Sequence, residues 1–412
     1  MPKVITLQTS FNSGVLDPRL VARTDLKHFY QGAAEATNVI TMPQGGIKRR
    51  PGFKYIATIN AESRLASFSF NVEQTYLMVF TNLSVAIYKD GAHQADVTTP
   101  WTTAQLFELQ WTQSADTMIL VHEDHAPRKL VRGASHTSWT LSTISLSNIP
   151  QHDFGSGAES VWSGTRGYPK SVTFYQGRLW FGGSKTRPQT VWGSKTNDFY
   201  NFDDGTSLDD EGIDITLDTD QVNAITSVYA GRHLNIFTTG GEFSIQDTPI
   251  TPAKVAVRRQ TLFGSSAIPP KMIDGSIIFI DRTGKSVREF LFSYNEDAYT
   301  SGTVSLLASH LLNSPVDMDV SKGTTTDDAN YVYFVNSDGT VAVFNTLRAQ
   351  EVSGWTKWET AGEIESVAVV VDEVYFIVKR TINSATVRYL EQLDSDTYTD
   401  ANKTVTLGSA GT

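Results

Sequence analysis

The chain has 412 residues, no cysteine, and 34 basic against 44 acidic side chains, which gives a formal charge of −10. The lack of cysteine excludes disulfides, thiolate metal sites and cysteine nucleophiles. The acidic balance speaks against a surface that coats nucleic acid by neutralising its phosphates. The start MPKVITLQTSFNSG lacks the apolar stretch of a secretory signal, and no run approaches the roughly 18 apolar residues of a membrane helix. We therefore expect a chain that is made in, and stays in, an aqueous compartment.

Residues 1–60 do not follow the pattern of the rest of the chain. Asp17-Pro18 predicts the start of a helical turn, with Asp as the cap and Pro at the first position. A short amphipathic helix is predicted over about 24–38, from apolar and small residues at helical spacing: Leu26, Phe29, Tyr30, Ala33, Ala34 and Thr37. Lys48, Arg49 and Arg50 form the densest basic run, which is either a solvated turn or a docking site for carboxylates of a partner subunit.

A repeated unit begins after this arm. Each unit contains an apolar strand, a short polar turn and a second strand, in the segments 76–90, 118–131, 178–193, 234–246, 276–292, 331–344 and 373–389. One more short strand precedes each pair, at 65–70, 106–111, 171–175, 224–229, 270–273, 316–320 and 364–371. The unit therefore recurs seven times at intervals of roughly 40 to 60 residues, which is the spacing of propeller blades.

The repeat predicts an all-β fold, a propeller-like array of about seven hairpin-containing blades with a non-blade N-terminal arm. A sheet of three or four strands cannot bury both faces alone, so neighbouring units must stack. Radial stacking is favoured, and an open β-solenoid or two stacked sandwiches are the alternatives. The predicted domains are an arm over 1–60, a propeller-like domain over 61–395 and a C-terminal tail over 396–412.

Several polar clusters favour structural roles over functional sites. His122, Glu123, Asp124 and His125 lack the helical spacing that lets two imidazoles share a zinc ion, so a polar turn is predicted. The acidic segment Asp203–Asp220 lacks the carboxylate spacing of a calcium loop, and a solvated or lumen-lining loop is predicted instead. No cofactor, metal or catalytic residues are predicted.

Two further patterns resemble features of sugar-binding propellers. Asn336 to Thr340 is similar to an Asp-box turn, but a hairpin loop in which Gly339 supplies a positive φ explains it better. Trp180, Trp192, Trp355 and Trp358 would suggest a sugar platform if they were exposed together, whereas aromatic residues in blades usually pack between sheets.

A series of short motifs resembles one protein family along nearly the whole chain. The N-terminal motifs are Asn12-Ser13-Gly14, Asp17-Pro18-Arg19-Leu20, Arg23-Thr24-Asp25-Leu26, Tyr30, Asn38, Pro43-Gln44-Gly45-Gly46 and Arg49-Arg50-Pro51-Gly52. The later motifs are Pro127-Arg128-Lys129-Leu130, Ser138-Trp139-Thr140, Tyr168-Pro169, 176–183 (QGRLWFGG), Arg187-Pro188-Gln189 and Gly354-Trp355. In order and spacing these resemble the tail nozzle proteins of short-tailed phages, also called tail tubular protein B or head–tail stabilisation proteins. Val15 stands where the family tends to have an acidic residue, and relatives often continue beyond the position of Thr412.

The resemblance implies a non-enzymatic structural protein of the virion tail, present in the host cytoplasm during assembly. It implies a ring, usually of six copies, below the portal and its adaptor, with tail fibres as further partners and double-stranded DNA passing without specific binding. A carbohydrate-binding or glycoside-cleaving propeller is the alternative, and its catalysis would need two carboxylates opposed across a cleft.

Two sets of residues are predicted to serve the ring. Subunit or adaptor contacts are expected from the arm, through Arg19, Arg23, Leu26, Phe29, Tyr30, Arg49 and Arg50. A channel for DNA must avoid cations that pair with phosphates. The predicted lining is therefore acidic: Asp203, Asp204, Asp209, Asp210, Glu211 and Asp214.

Overall fold

A computed structural model describes residues 8–219, 222–323, 329–350 and 352–403. Asp220 of the acidic segment and residues 404–412 of the predicted tail lie outside these ranges. Within them, no helix is both long and apolar enough to cross a membrane.

The N-terminal arm contains short strands and two 3-10 turns. Its strands are β1 (Gly14–Val15), β2 (Gly32–Ala33), β3 (Val39–Thr41), β4 (Ile47–Arg49) and β5 (Gly52–Ile59), and the 3-10 turns are Pro18–Leu20 and Lys27–Gln31. Asp17 caps the first turn, because its carboxylate accepts the amide hydrogen of Arg19, which confirms the predicted start.

The predicted helix over 24–38 is wrong. Only Lys27–Gln31 is helical, and the chain leaves the turn at Gly32 with an extended backbone. Gly32 lies so close to Leu16 that an added Cβ would come within 2.4 Å of its side chain. Docking of β2 beside β1 therefore overrides the helical spacing of the apolar residues.

The described residues after the arm, together with β5, form seven blades of four strands each. Blade 1 contains β6 (Arg64–Ser69), β7 (Thr75–Thr81), β8 (Ser84–Lys89) and β9 (Ala92–Thr98), and blade 2 contains β10 (Gln110–Ser114), β11 (Thr117–His122), β12 (His125–Arg132) and β13 (Trp139–Thr143). A separate hairpin of β14 (Gln151–Asp153) and β15 (Ala158–Ser160) follows. Blade 3 contains β16 (Ser171–Tyr175), β17 (Arg178–Gly182), β18 (Thr190–Gly193) and β19 (Ile213–Thr216).

Blades 4 to 7 continue the same order. Blade 4 contains β20 (Ile225–Ala230), β21 (Leu234–Thr238), β22 (Glu242–Ile245) and β23 (Val257–Thr261), and blade 5 contains β24 (Lys271–Ile273), β25 (Ser276–Ile280), β26 (Val287–Ser293) and β27 (Ala298–Thr303). Blade 6 contains β28 (Pro315–Ser321), β29 (Asn330–Asn336), β30 (Val341–Leu347) and β31 (Val352–Trp358). Blade 7 contains β32 (Glu363–Val370), β33 (Glu373–Ile382), β34 (Ala385–Asp394) and β5. Further 3-10 turns are Thr103–Glu108, Leu306–Leu311 and Arg348–Gln350.

The all-β, propeller-like fold class is confirmed. Every predicted hairpin supplies the second and third strands of a blade, and the short strand predicted before it supplies the first in six blades. In blade 2 the prediction over 106–111 is mostly wrong, because 106–108 belong to the 3-10 turn Thr103–Glu108 and β10 begins only at Gln110. The prediction works because each hairpin is a local pattern of alternating or continuous apolar residues bounded by turn residues.

The seventh blade takes its fourth strand from the N-terminal arm. β34 pairs antiparallel with β5, and the register runs from Arg388 opposite Ile59 to Asp394 opposite Gly52. The arm was predicted to stay outside the blades up to residue 60, so its non-blade part ends before Gly52. β1 also adds to the sixth blade through a parallel pairing of Gly14 with Trp355.

The chain divides into two compact units, of which the first comprises Met1–Asn82, Tyr88–His93 and Leu306–Thr412. Its largest core lies between the sheets of blades 6 and 7 and contains Tyr333, Val343, Trp358, Val367 and Phe376. Apolar side chains of two sheets thus bury one another, as the stacking argument requires.

The second unit comprises Leu83–Ile87 and Gln94–Ser305. Its cores repeat the same arrangement between successive sheets. Trp192 belongs to the core of blades 2 and 3, Trp180 to that of blades 3 and 4, and Phe279 to that of blades 4 and 5.

Polar side chains connect the first strands of neighbouring blades. In the first unit, Asp317 of β28 accepts hydrogen bonds from the Ser366 hydroxyl (2.6 Å) and the Val367 amide (3.1 Å), and Ser366 accepts one from the Leu65 amide. In the second unit, the Ser171 hydroxyl accepts the amide of Val228. A first strand is an edge of its sheet, and these bonds satisfy backbone groups that no ladder reaches.

Candidate functional site: the docked arm and the acidic loop

The arm is held on blade 6 by residues of the resemblance motifs. Gly14 has φ +61, and a Cβ there would lie 2.2 Å from the Trp355 carbonyl oxygen. The Asn12 carbonyl accepts the Ser353 amide (3.2 Å). Two motifs about 340 residues apart in sequence, Asn12-Ser13-Gly14 and Gly354-Trp355, are therefore in contact. Only glycine combines this backbone conformation with so close an approach.

Arg50 is a buried anchor of the arm rather than an exposed docking residue. Its side chain is 6% exposed, and its guanidinium forms a bidentate pair with Asp400 at 2.8 and 2.7 Å. It also donates to the Asn38 side chain and the Glu359 carbonyl, and it lies 4.3 Å from the centre of the Phe53 ring. The prediction that Arg50 binds a partner's carboxylates is therefore corrected, because its guanidinium already binds the carboxylate of Asp400 in the same chain.

The other predicted arginines remain at the surface. Arg49 is exposed and donates to the Tyr398 carbonyl (2.9 Å). Arg23 pairs with Asp25, and both side chains are more than half exposed. Pairs of this kind contribute little to stability, so these two arginines could exchange partners at low cost.

Arg19 belongs to a polar cluster around the buried carboxylate of Asp17. The guanidinium donates to both carboxylate oxygens at 2.8 and 2.7 Å, and the His310 ring nitrogen lies 3.5 Å from one of them. The hydrogen bonds from Arg19 hold the pKa of Asp17 well below its usual range. Burial lowers the pKa of His310, against the opposing effect of Asp17.

An apolar groove of about 660 Å³ opens beside this cluster. Two of the predicted anchors, Phe29 and Tyr30, line it, and their rings meet edge to face at 5.4 Å. Tyr30 is 61% exposed and Val21 76% exposed. Leu26 is half-buried and does not line the groove. The remaining lining residues are Gln8, Leu16, Asp17, Pro18, Leu20, Gly32, Ala33 and Ala34.

The acidic loop joins β18 to β19 and mixes exposed with internal carboxylates. Asp204, Asp209 and Asp210 are exposed, and Asp203 is half-buried. Glu211 is only 7% exposed and accepts the Leu208 amide at 2.9 Å. Asp214 pairs with Arg187 (2.7 Å) and accepts the Trp192 ring N–H. Glu211 and Asp214 are thus engaged in contacts within the chain, which corrects the prediction that they line a channel. The position of the other four carboxylates relative to a channel stays a prediction.

Arg178 holds this loop from beneath, a role that sequence reasoning missed. Its buried guanidinium donates to the carbonyls of Ser194 (2.6 Å), Glu211 and Asp209 (2.7 Å). Burial lowers the pKa of Arg178. An arginine at the start of an apolar strand, followed by a long loop, was the available signal.

The histidine cluster forms a hydrogen-bonded polar turn between β11 and β12. The His122 ring accepts the Asp124 amide (3.0 Å) and lies 2.9 Å from a Glu108 oxygen, while His125 contacts the Gln105 side chain. Asp124 pairs with Lys185. Among the described residues, no group of three or more His, Asp or Glu side chains is arranged to hold a metal ion.

A polar cavity of about 450 Å³ lies in the first unit and is lined by Asp338, Glu359 and Asp400. Burial would raise the pKa of Asp400, but hydrogen bonds from Arg50 and Thr360 outweigh it, and the net shift is downward. Burial would likewise raise the pKa of Asp338, but hydrogen bonds from Thr340 and Asn313 outweigh it, and this pKa is also lowered. A glycoside-cleaving pair needs one carboxyl with a raised pKa, so these two aspartates do not supply it.

The patterns that resembled sugar-binding propellers have structural roles. Trp180, Trp192, Trp355 and Trp358 are at most 1% exposed, which confirms packing rather than an exposed platform. Gly339 has φ +78 in the β29–β30 turn, and Asp338 accepts the Thr340 amide, as expected of a hairpin loop.

The fold and these surfaces define the class of protein as an all-β, propeller-like protein with a docked arm. No family model matches the chain, and no curated protein matches it. Among solved structures, the WD40 domain of Neurospora crassa Pan2 is 8% identical, with a TM-score of 0.48 over 85% of this chain and 99% of that one. The RRP9 WD40 repeats are also 8% identical, with a TM-score of 0.46 over 84% of this chain and 99% of that one. At these TM-scores and identities the likenesses carry no argument about what this chain binds.

Proposed function

We propose that the chain is a structural subunit of the tail nozzle of a short-tailed bacteriophage. In this role, copies of the chain form a ring, of six copies in the related family, below the portal and its adaptor. The ring extends the channel through which DNA leaves, and tail fibres attach nearby. The site of action is the virion tail, after assembly in the host cytoplasm.

One observation carries the proposal. Four residues of the motifs that resemble the nozzle family dock the arm: Gly14 against Trp355, and Asn38 with Arg50. Docking leaves the groove with Phe29, Tyr30 and Val21 open to solvent. Exposed aromatic side chains around an apolar pocket are the features that dominate protein interfaces, so an adaptor or neighbouring subunit is a fitting partner.

The charge of the chain suits a conduit for DNA. Each subunit carries −10, so a ring of six would carry about −60, which repels phosphates along the bore within the screening distance of about 8 Å. Because Glu211 and Asp214 are engaged internally, the repulsion is attributed to the net charge rather than to those two side chains.

The proposal is tested by deleting the gene from the phage that carries it. We expect particles that assemble heads but release their DNA, with infectivity restored by the chain supplied in trans. Labelled antibody against the chain should mark the tail of normal particles. Infectious, DNA-filled particles that lack the chain would overturn the proposal.

A further inference from the structure

A basic and apolar patch lies at one end of blades 4 and 5. Because strands alternate in direction, the connections between first and second and between third and fourth strands share one end of a blade, here called the upper end. The other connections share the lower end. At the lower end, Leu262 (64% exposed) and Phe263 (38% exposed) follow β23, while Arg282 and Lys285 lie in the β25–β26 turn.

The patch is held together by direct contacts. The Arg282 amide donates to the Gly264 carbonyl (3.1 Å), which joins the turn to the segment after β23. The guanidinium carbon of Arg288 lies 3.4 Å from the centre of the Phe263 ring. Leu262, Phe263, Arg282, Lys285 and Arg288 therefore form one surface, named the basic patch.

The cations of the basic patch form no close ion pair. In the part of the chain that the structure describes, Arg282, Lys285 and Arg288 have no carboxylate oxygen within 4 Å of their charged nitrogens, although Asp281 and Glu242 act on Arg288 electrostatically from farther away. The buried Nε of Arg288 has no hydrogen-bond partner there. The nearby Asp281 carboxylate accepts the amides of Thr283 and Lys285. A positive surface without a close ion pair, in a chain of charge −10, indicates an acidic partner.

The acidic loop has the complementary composition. Leu208 is 60% exposed, and exposed Asp204, Asp209 and Asp210 surround it in sequence. The loop connects third and fourth strands, so it lies at the upper end, and its Asn197 amide donates to Gly177 in another upper connection. Arg178 fixes its backbone from beneath, so little ordering is needed on binding.

We infer that the acidic loop of one copy docks on the basic patch of a second copy of this chain. Leu208 meets Leu262 and Phe263, while the aspartates face Arg282, Lys285 and Arg288. Since the loop and the patch lie at opposite ends of their blades, the contact is heterologous and propagates from copy to copy into a ring or a filament. That the contact closes a ring rests on the proposed function. Asp204, Asp209 and Asp210 are then covered by the neighbour rather than lining a channel.

Cross-linking between two single-cysteine variants tests the contact, because the native chain has no cysteine. Leu208→Cys and Leu262→Cys chains are mixed and treated with a short bis-maleimide, and the mixed dimer is quantified by mass spectrometry. We expect a mixed cross-link that weakens as salt rises. Adding Arg282→Glu and Lys285→Glu to the Leu262→Cys chain should reduce the cross-link at least about tenfold.

Two controls distinguish specific docking from a change of net charge. Lys254→Glu with Arg258→Glu makes the same charge change on exposed residues of blade 4 outside the patch, and should leave the cross-link unchanged. Adding Asp204→Lys and Asp209→Lys to the Leu208→Cys chain should restore it when the Glu-bearing patch is present. No mixed cross-link at any concentration or salt, or equal loss with the control pair, would overturn the inference.

The outcome is separable from that of the proposed function. If the cross-link is specific but phage particles do not contain the chain, the contact between copies is supported and the nozzle proposal is contradicted. If particles contain the chain and assemble normally with Arg282→Glu and Lys285→Glu, the nozzle proposal is supported and the contact is contradicted.

Discussion

At the residue scale, Arg50 illustrates what a local pattern cannot reveal. Lys48, Arg49 and Arg50 look alike in sequence, yet Arg50 is buried and Arg49 exposed. The difference comes from Asp400, which is 350 positions away and reaches the guanidinium because residues 397–402 run beside β5. Sequence reasoning identified the basic run but expected a turn, whereas Lys48 and Arg49 lie in β4. Only the tertiary pairing distinguishes the members of the run.

We predict that Arg50→Ala lowers the free energy of unfolding by about 2–4 kcal/mol, since it leaves the partly buried Asp400 carboxylate without its partner. Arg49→Ala, the matched control on an exposed neighbour, should cost at most about 1 kcal/mol. Denaturant unfolding measures both variants. Equal stability of Arg50→Ala and the native chain would contradict the assignment of Arg50 as an anchor.

The Arg50–Asp400 pair also makes the stability effect of Arg50→Ala depend on pH. Its hydrogen bonds lower the pKa of Asp400 in the folded state, so the stabilisation is present above the unfolded pKa and is lost as pH falls through the folded value. The stability gap between the native chain and Arg50→Ala should therefore narrow below about pH 4.

At the element scale, the sequence predicted the hairpins, which form between neighbouring segments, and missed the strand pairings between segments that are distant in sequence. Hairpins such as β29–β30 are specified by their own apolar runs and by Gly339 in the turn. The pairing of β5 with β34 joins residues more than 300 positions apart, and no periodicity encodes it. The predicted helix failed at Gly32 for the same reason, because packing against Leu16 determines that backbone.

We predict that Gly14→Ala releases the arm while the blades stay folded. The new methyl group would carry the cost of a positive φ, about 1–2 kcal/mol, and would also overlap the Trp355 carbonyl. Gly155→Ala is the matched control, since Gly155 has φ +101 with nothing within 4 Å of an added Cβ. Hydrogen exchange should rise in residues 8–50 for the first variant only. Unchanged exchange there would mean that β1 tolerates the methyl group and that the docking is looser than the distances indicate.

At the scale of the whole molecule, the proposed function depends on which apolar side chains stay exposed after folding. Many aromatic residues pack between sheets, as with Phe237 of blade 4 and Phe279 of blade 5, whose ring centroids lie 5.2 Å apart. Tyr30 is an exception, and Val21 beside it is also exposed, because the arm docks with its groove facing outward. Folding gains nothing from that exposure, which the proposed function attributes to binding a partner.

We therefore predict that the double variant Val21→Ser and Tyr30→Ser folds normally and fails to assemble. Both side chains are mostly exposed, so the free energy of unfolding should change by less than about 0.5 kcal/mol for each. Each anchor lost from an interface costs about 1.5–3 kcal/mol of binding, so incorporation into particles should fall at least tenfold. The matched control is Val72→Ser with Tyr294→Ser, which removes similar side chains that are 90% and 72% exposed outside the groove. Quantitative mass spectrometry of purified particles from complemented phage measures incorporation. Equal incorporation of the groove variant and the control would show that the groove is not the docking site, and the partner would then have to bind another surface of the chain.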